Sequence, residues 1–178
     1  SDSVSYAGNK MTGLTIDTRP ADESVYVTIS SENLMLANKI EFDNLFIDGR
    51  AEMDTIFTAV SWGSDTTGFH SGDINGKLTV MGTNKINFQM NESSLRLFDD
   101  VWNFSKGASI TLDSSYTEVK AFRMSNEKQI IRINGGVSRD PLIQLDLELI
   151  DIDISAVNAF LQGQETRLYG NITGVASI

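Results

Sequence analysis

An all-β fold, built as a long antiparallel meander with one apolar face, is what this sequence predicts. Three observations predict it. The first is the stretch Gln129–Ile154, where Ile131 and Ile133 alternate with Arg132 and Asn134, and Ile143, Leu145, Leu147 and Leu149 alternate with Gln144, Asp146 and Glu148. Side chains on a strand point to opposite faces with a period of two, so each run carries one greasy and one wet face. The second is that about a dozen such runs, rich in β-branched residues, are separated by short turn-forming clusters. The third is that helical spacing occurs once, at Ser155–Leu161, where a Ser N-cap candidate precedes Val157, Phe160 and Leu161, and Gly163 is the stop.

In chain order, Met11–Asp17 is expected as the first strand, closed by Thr18-Arg19-Pro20. Val25, Val27 and Ile29 alternate with Tyr26, Thr28 and Ser30, and Leu34–Ala37 is a shorter piece. Leu45, Ile47, Gly49, Ala51 and Met53 share a face, and the phase becomes ambiguous at Ile56–Phe57 before the run ends at Trp62. Gly63–Gly72 reads as a loop from its Gly, Ser, Thr and Asp content. Ile74–Met81, Lys85–Met90, Ser94–Phe98, Trp102–Phe104, Ser109–Leu112 and Thr117–Met124 follow as strands joined by polar turns. At Leu149–Ile150 the alternation slips by one residue, which is the mark of a β-bulge or a strand break.

The chain of 178 residues carries a net charge of −10 and a pI near 4.4, which argues against nucleic acid as a partner because phosphate recognition needs Lys/Arg patches. It has no cysteine, hence no disulfide framework and no thiolate chemistry. A compact globule of this size buries about 70% of its unfolded surface. No apolar run approaches the roughly 18–20 residues of a spanning helix. No signal peptide is expected at Ser1, and the strand pattern still running over Arg167–Ile178 suggests a segment taken from a longer repetitive protein. Ile74–Val80 and Leu168–Gly174 echo one another, with Gly76 matching Gly170 and Leu78 matching Ile172, as in a solenoid-like array.

Candidates for chemistry are few. His70 is the single histidine and lies in the Gly/Ser/Thr loop beside Ser64, Asp65 and Ser71, with no nucleophile-elbow motif near it. Asp146, Glu148, Asp151 and Asp153 alternate with Leu and Ile, which places them on the solvent face rather than as a pair for acid–base work. Asp151-x-Asp153-x-Ser155 opens like a calcium loop but has Ala156 and Gln162 where the turn glycine and the bidentate glutamate belong. Asp99-Asp100 fits a turn held by its own Asx hydrogen bonds better than a cation site. Trp62, Phe69, Trp102 and Tyr169 would serve as a sugar-stacking platform only if they converged, and their irregular spacing fits core or rim positions better.

The second half carries an ordered series of motifs: Leu95–Trp102 (LRLFDDVW), then Val119–Gly135 (VKAFRMSNEKQIIRING), then Leu147–Ser155 (LELIDIDIS), then Leu168–Gly174 (LYGNITG). In this order and spacing they resemble the C-terminal region of TamB-type translocation and assembly module proteins, of the wider AsmA-like superfamily. Phe122, Arg123, Ser125, Asn126, Gln129, Ile131, Ile133, Asn134 and Gly135 fill that pattern, and the resemblance covers most of Leu34–Ile178. It implies a periplasmic segment of a large protein anchored in the inner membrane of a Gram-negative bacterium. It also implies a sheet curled into a U-shaped trough whose apolar inner face shields acyl chains or client strands. The partners it implies are phospholipid or an outer-membrane protein client, with an outer-membrane assembly partner at the far end of the full-length protein. It implies no catalytic residue and no cofactor.

On this expectation Leu78, Val80, Ile86, Phe88, Ile110, Leu112, Ile131, Ile133, Ile143, Leu145 and Leu147 line the groove. The alternative is a β-sandwich, a secreted glycan- or protein-binding module in which those residues are a filled core, since alternation looks the same in both. A sheet of this kind also exposes edge strands, so edge-to-edge self-association is expected to be possible.

Overall fold

A computed structural model describes residues 3–36, 40–63, 70–97, 100–138, 143–155 and 167–178. Among them the regular structure is strand: β1 Ser3–Tyr6, β2 Asn9–Thr12, β3 Thr15–Ala21, β4 Ser24–Leu36, β5 Ile40–Glu52, β6 Thr55–Trp62, β7 His70–Val80 and β8 Lys85–Met90. The series continues with β9 Ser93–Leu97, β10 Asp100–Phe104, β11 Ser109–Asp113, β12 Tyr116–Asn126, β13 Gln129–Ser138, β14 Leu145–Asp153 and β15 Asn171–Ser177. All fifteen belong to one antiparallel sheet. The β-sandwich alternative is therefore set aside: the described strands do not divide into two hydrogen-bonded sheets. Ile154 and Ser155 have 3₁₀ character, and the rest of the helix expected over 155–161 lies outside the described residues.

The topology is a meander of twelve rungs, because three rungs are each made of two collinear strands. β2 and β3 both lie along β4, β8 and β9 both lie along β7, and β10 and β11 follow them to meet β12. The expected strand Met11–Asp17 is thus two strands, separated where Gly13 takes φ +61°. Conversely, the Leu34 piece is continuous with the Val25 run in the 13-residue β4. The ambiguous phase near Ile56 has a simple cause. Met53 and Asp54 make a tight hairpin turn, with Met53 at φ +49°, and Thr55 begins the returning strand. The expected loop 63–72 gives way at His70, which pairs with Leu97.

The phase slip at Leu149–Ile150 is a β-bulge. The β14–β15 register shifts between Leu149 and Ile152, and Asp151 sits at φ +53°. One extra residue restores Ile152 to the side of Leu149, so the apolar face continues through the irregularity. Ala121 at φ +51° does the same in β12, where its amide donates to the Asn134 side chain at 3.2 Å. Asn44 also takes a positive φ (+51°) within β5, where the pairing with β4 keeps its register. Bulges bend and twist a strand, and an open sheet of more than about ten strands curls rather than staying flat.

The molecule has a solvent-accessible surface of 11897 Å², where a compact globule of its mass would expose about 8,600 Å². It buries only about three-fifths of its unfolded surface, not the 70% expected from size alone. The reason is geometric: the described strands form a single curled layer, with no second layer of strands among them against which to bury its face.

Candidate functional site: one apolar face of the sheet

Directly opposite residues in an antiparallel pair share a face, so the register traces the faces across the whole sheet. One row runs Pro20, Val25, Ala51, Ile56, Leu78, Phe88, Ile110, Val119, Gly135, Leu145, each opposite the next. It crosses ten rungs without a charged residue. At about 4.8 Å per rung it is roughly 43 Å long. Beside it lie a row Val80–Ile86–Leu112 and, toward the other strand ends, rows containing Phe122–Ile133–Leu147 and Met124–Ile131–Leu149.

Ten of the eleven expected groove residues therefore share one face. Ile143 does not stand with them. It precedes β14, is 39% exposed, and its Cγ2 lies against Gly136, whose partner Glu118 alternates away from Val119. The residue before a strand is free of its alternation, and that is why sequence phase misplaced it. Sequence reasoning also left the first half of the face undrawn. Val25, Ile47, Ile56 and Val60 belong to it, and the same alternation that located Leu145 would have located them.

Cover differs between the two ends of the strands. Val80, Ile86 and Leu112 are exposed, Leu112 to 50%. Toward the start of β7 the face is closed by aromatic rings. Phe42 meets Trp62 edge-on with centroids 5.4 Å apart, and Phe104 meets Phe122 at 5.8 Å. The ring contact places Phe42 on the Trp62 side, beyond the positive φ of Asn44. Leu45 and Trp102 are each 7% exposed. Rings also roof glycines: a Cβ on Gly72 would overlap the Trp62 indole, and one on Gly76 would overlap the Phe88 ring. Trp62 and Trp102 are thus spent on the apolar face and do not form an outer platform with Tyr169, while Phe69 lies outside the described residues.

The opposite face is polar and paired across strands. Thr28 donates to Asp48 at 3.1 Å, Asn87 to Thr111 at 2.9 Å, and Ser177 to Asp146 at 2.6 Å. Arg132 binds Glu148, and Arg50 lies 4.9 Å from the Phe57 ring centroid. That contact settles the ambiguous dipeptide, with Ile56 on the apolar face and Phe57 on the polar one. Asp151 accepts from Asn171. Asp153 accepts from the Ser155 amide at 2.8 Å, and the Ser155 hydroxyl and amide hold its carboxyl below the ordinary carboxylate range. The acidic residues of β14 are engaged in ladder and turn contacts. His70 opens β7, and its partner in the register is Leu97.

No protein-family profile, no curated protein and no solved structure matches this chain.

Proposed function

We propose that this chain is a non-catalytic trough segment of an envelope-spanning periplasmic protein, in which the apolar face shields the acyl chains of phospholipid, or apolar client strands, from water. One observation carries the reading. An in-register apolar face crosses ten rungs of a one-layer sheet, and among the described residues no second layer of strands covers it. Soluble monomers rarely leave contiguous apolar patches beyond a few hundred Å² uncovered, and those that do use them to bind. An acyl chain needs no hydrogen bonds from its site, and the ten-residue row from Pro20 to Leu145 carries no polar side chain. The ordered motifs resembling the TamB-type proteins support the same assignment, including transport to or assembly at the outer membrane.

The test is native mass spectrometry of gently purified protein, with lipid extraction of the same sample. Phospholipid adducts are expected for the unaltered chain. Ile131→Asp and Leu145→Asp should lose them while far-ultraviolet circular dichroism stays that of a sheet. Adducts retained by both variants, or a chain that takes up no lipid from phosphatidylethanolamine vesicles, would sink the proposal.

A further inference from the structure

The polar face carries a feature that its ladder contacts do not explain. One row runs Arg19, Tyr26, Arg50, Phe57, Lys77, Gln89, each opposite the next from β3 to β8. Cations stand on its first, third and fifth rungs. Flat side chains, two of them aromatic rings, stand on the second, fourth and sixth. Phe57 is 37% exposed on this wet face, where folding gains less from a ring than it would on the other. Arg50 is fixed between the two rings. Its guanidinium carbon lies 4.9 Å from the Phe57 centroid and its Nε 3.1 Å from Glu52. That ion pair engages one guanidinium nitrogen and leaves the other donors to a ligand.

At its Tyr26 end the row opens into a concavity of about 610 Å³ between the β3–β4 and β5–β6 turns, lined among others by Glu23, Ser24, Tyr26, Glu52 and Met53. Small-molecule sites occupy roughly 300–1,000 Å³, so the space is large enough for one. Met53, 99% exposed at its turn, gives the concavity an apolar lip. Glu23, Ser24 and Glu52 supply oxygens for hydrogen bonds. Arg19 and Arg50 stand on either side of Tyr26 and offset the carboxylates beside them, so the concavity suits an uncharged ligand.

One ligand chemistry meets all of these features. Tyr26 and Phe57 stand two rungs apart, about 9.6 Å. In an extended β-1,4-linked polysaccharide each sugar is turned over relative to the last, so alternate sugars present the same ring face at that spacing. Their hydroxyls pair with guanidinium, carboxylate, amide and hydroxyl groups, which are the groups along this row. An acyl chain would leave those groups unpaired. A nucleic acid would bring its phosphates against Asp17, Asp48 and Glu52 on the flanking rows. We infer that the polar face binds an uncharged β-1,4-linked glycan laid across the strands. One sugar sits on Tyr26 in the concavity, and the sugar two further along sits on Phe57. This site lies on the face opposite the apolar one and does not depend on lipid binding.

The experiment titrates the lipid-free chain with cello-oligosaccharides and N-acetylchito-oligosaccharides, read by calorimetry and by amide NMR shifts. Affinity should rise about tenfold from disaccharide to tetrasaccharide, the gain of a second ring contact. It should then level, since Tyr26 to Gln89 spans about 19 Å. Tyr26→Ala and Phe57→Ala should each lose about tenfold, whereas Tyr26→Phe and Phe57→Tyr keep a ring and should bind as the parent does. Phe46→Ala removes an exposed ring of the same face outside the row and should change nothing. The length series decides the matter even if an alanine variant fails to fold, because an affinity flat from disaccharide to hexasaccharide would overturn the site. So would the absence of any shift at millimolar glycan, an equal loss in Phe46→Ala, or tighter binding of the acidic glycan hyaluronan than of cellohexaose.

Discussion

The two ends of the strands share one face and one alternation pattern, yet they are physically unlike. Near the start of β7, Leu45 and Trp102 are 7% exposed and the rings of Phe42, Trp62, Phe104 and Phe122 pack edge to face. Near its end, Val25, Ile56, Val80, Ile86 and Leu112 stand between 38% and 50% exposed in continuous rows. The first region holds the sheet in shape. The second keeps apolar surface available. The described strands, which form one layer, divide these tasks along their length.

Three changes break or sharpen that contrast. The largest effect is expected at the covered end, where Trp102→Ala should destabilise by about 3 kcal/mol, the cost of an emptied aromatic site. Leu112→Ala at the open end should cost under about 1 kcal/mol, since half of the side chain already meets water. Urea unfolding of both variants checks the ordering, and equal losses would erase the distinction. The second change separates stability from binding. Leu112→Asp and Val80→Asp should keep the urea midpoint close to that of the parent but cut phospholipid adducts at least about tenfold, an unpaired carboxylate being costly beside an acyl chain. Unchanged loading would move the binding surface away from this rim.

The smallest expected effect is electrostatic. Asp153 is held below its ordinary range by Ser155, and Asp113 likewise by the Ser115 amide foremost and then by the Ser114 and Ser115 hydroxyls. A carboxyl with a lowered folded-state pKa adds stability above its unfolded value, near 3.9, and loses it as pH falls through the folded value. Both groups are exposed, so the consequence is local. A carbon-13 titration should place the Asp153 midpoint below that of an unstructured peptide, and Ser155→Ala should return it. Lys120, raised by Glu118, works in the other direction, its contribution present below its unfolded pKa and lost as pH rises through the folded one.

Much of this architecture was legible in the alternation of small segments. Val25–Ile29, Lys85–Met90 and Leu145–Leu149 announced their strands and faces because a period of two is a local property of the backbone. The slip at Leu149–Ile150 even announced the bulge at Asp151. Met11–Asp17 was misjudged because its break depends on Gly13 adopting positive φ, which a glycine permits but does not require. Ile143 was misplaced because only hydrogen bonding decides where β14 begins.

What the sequence determined by itself is therefore the class of fold, the antiparallel meander and the division into a greasy and a wet side. The tertiary structure decided that the described strands form one layer, that aromatic rings close one end of its greasy side, and that Phe57 leaves that side while Ile56 stays. The physical reason is that alternation records which way a side chain points, whereas cover depends on which distant strands come alongside. That is settled by register, bulges and curl acting over the whole sheet.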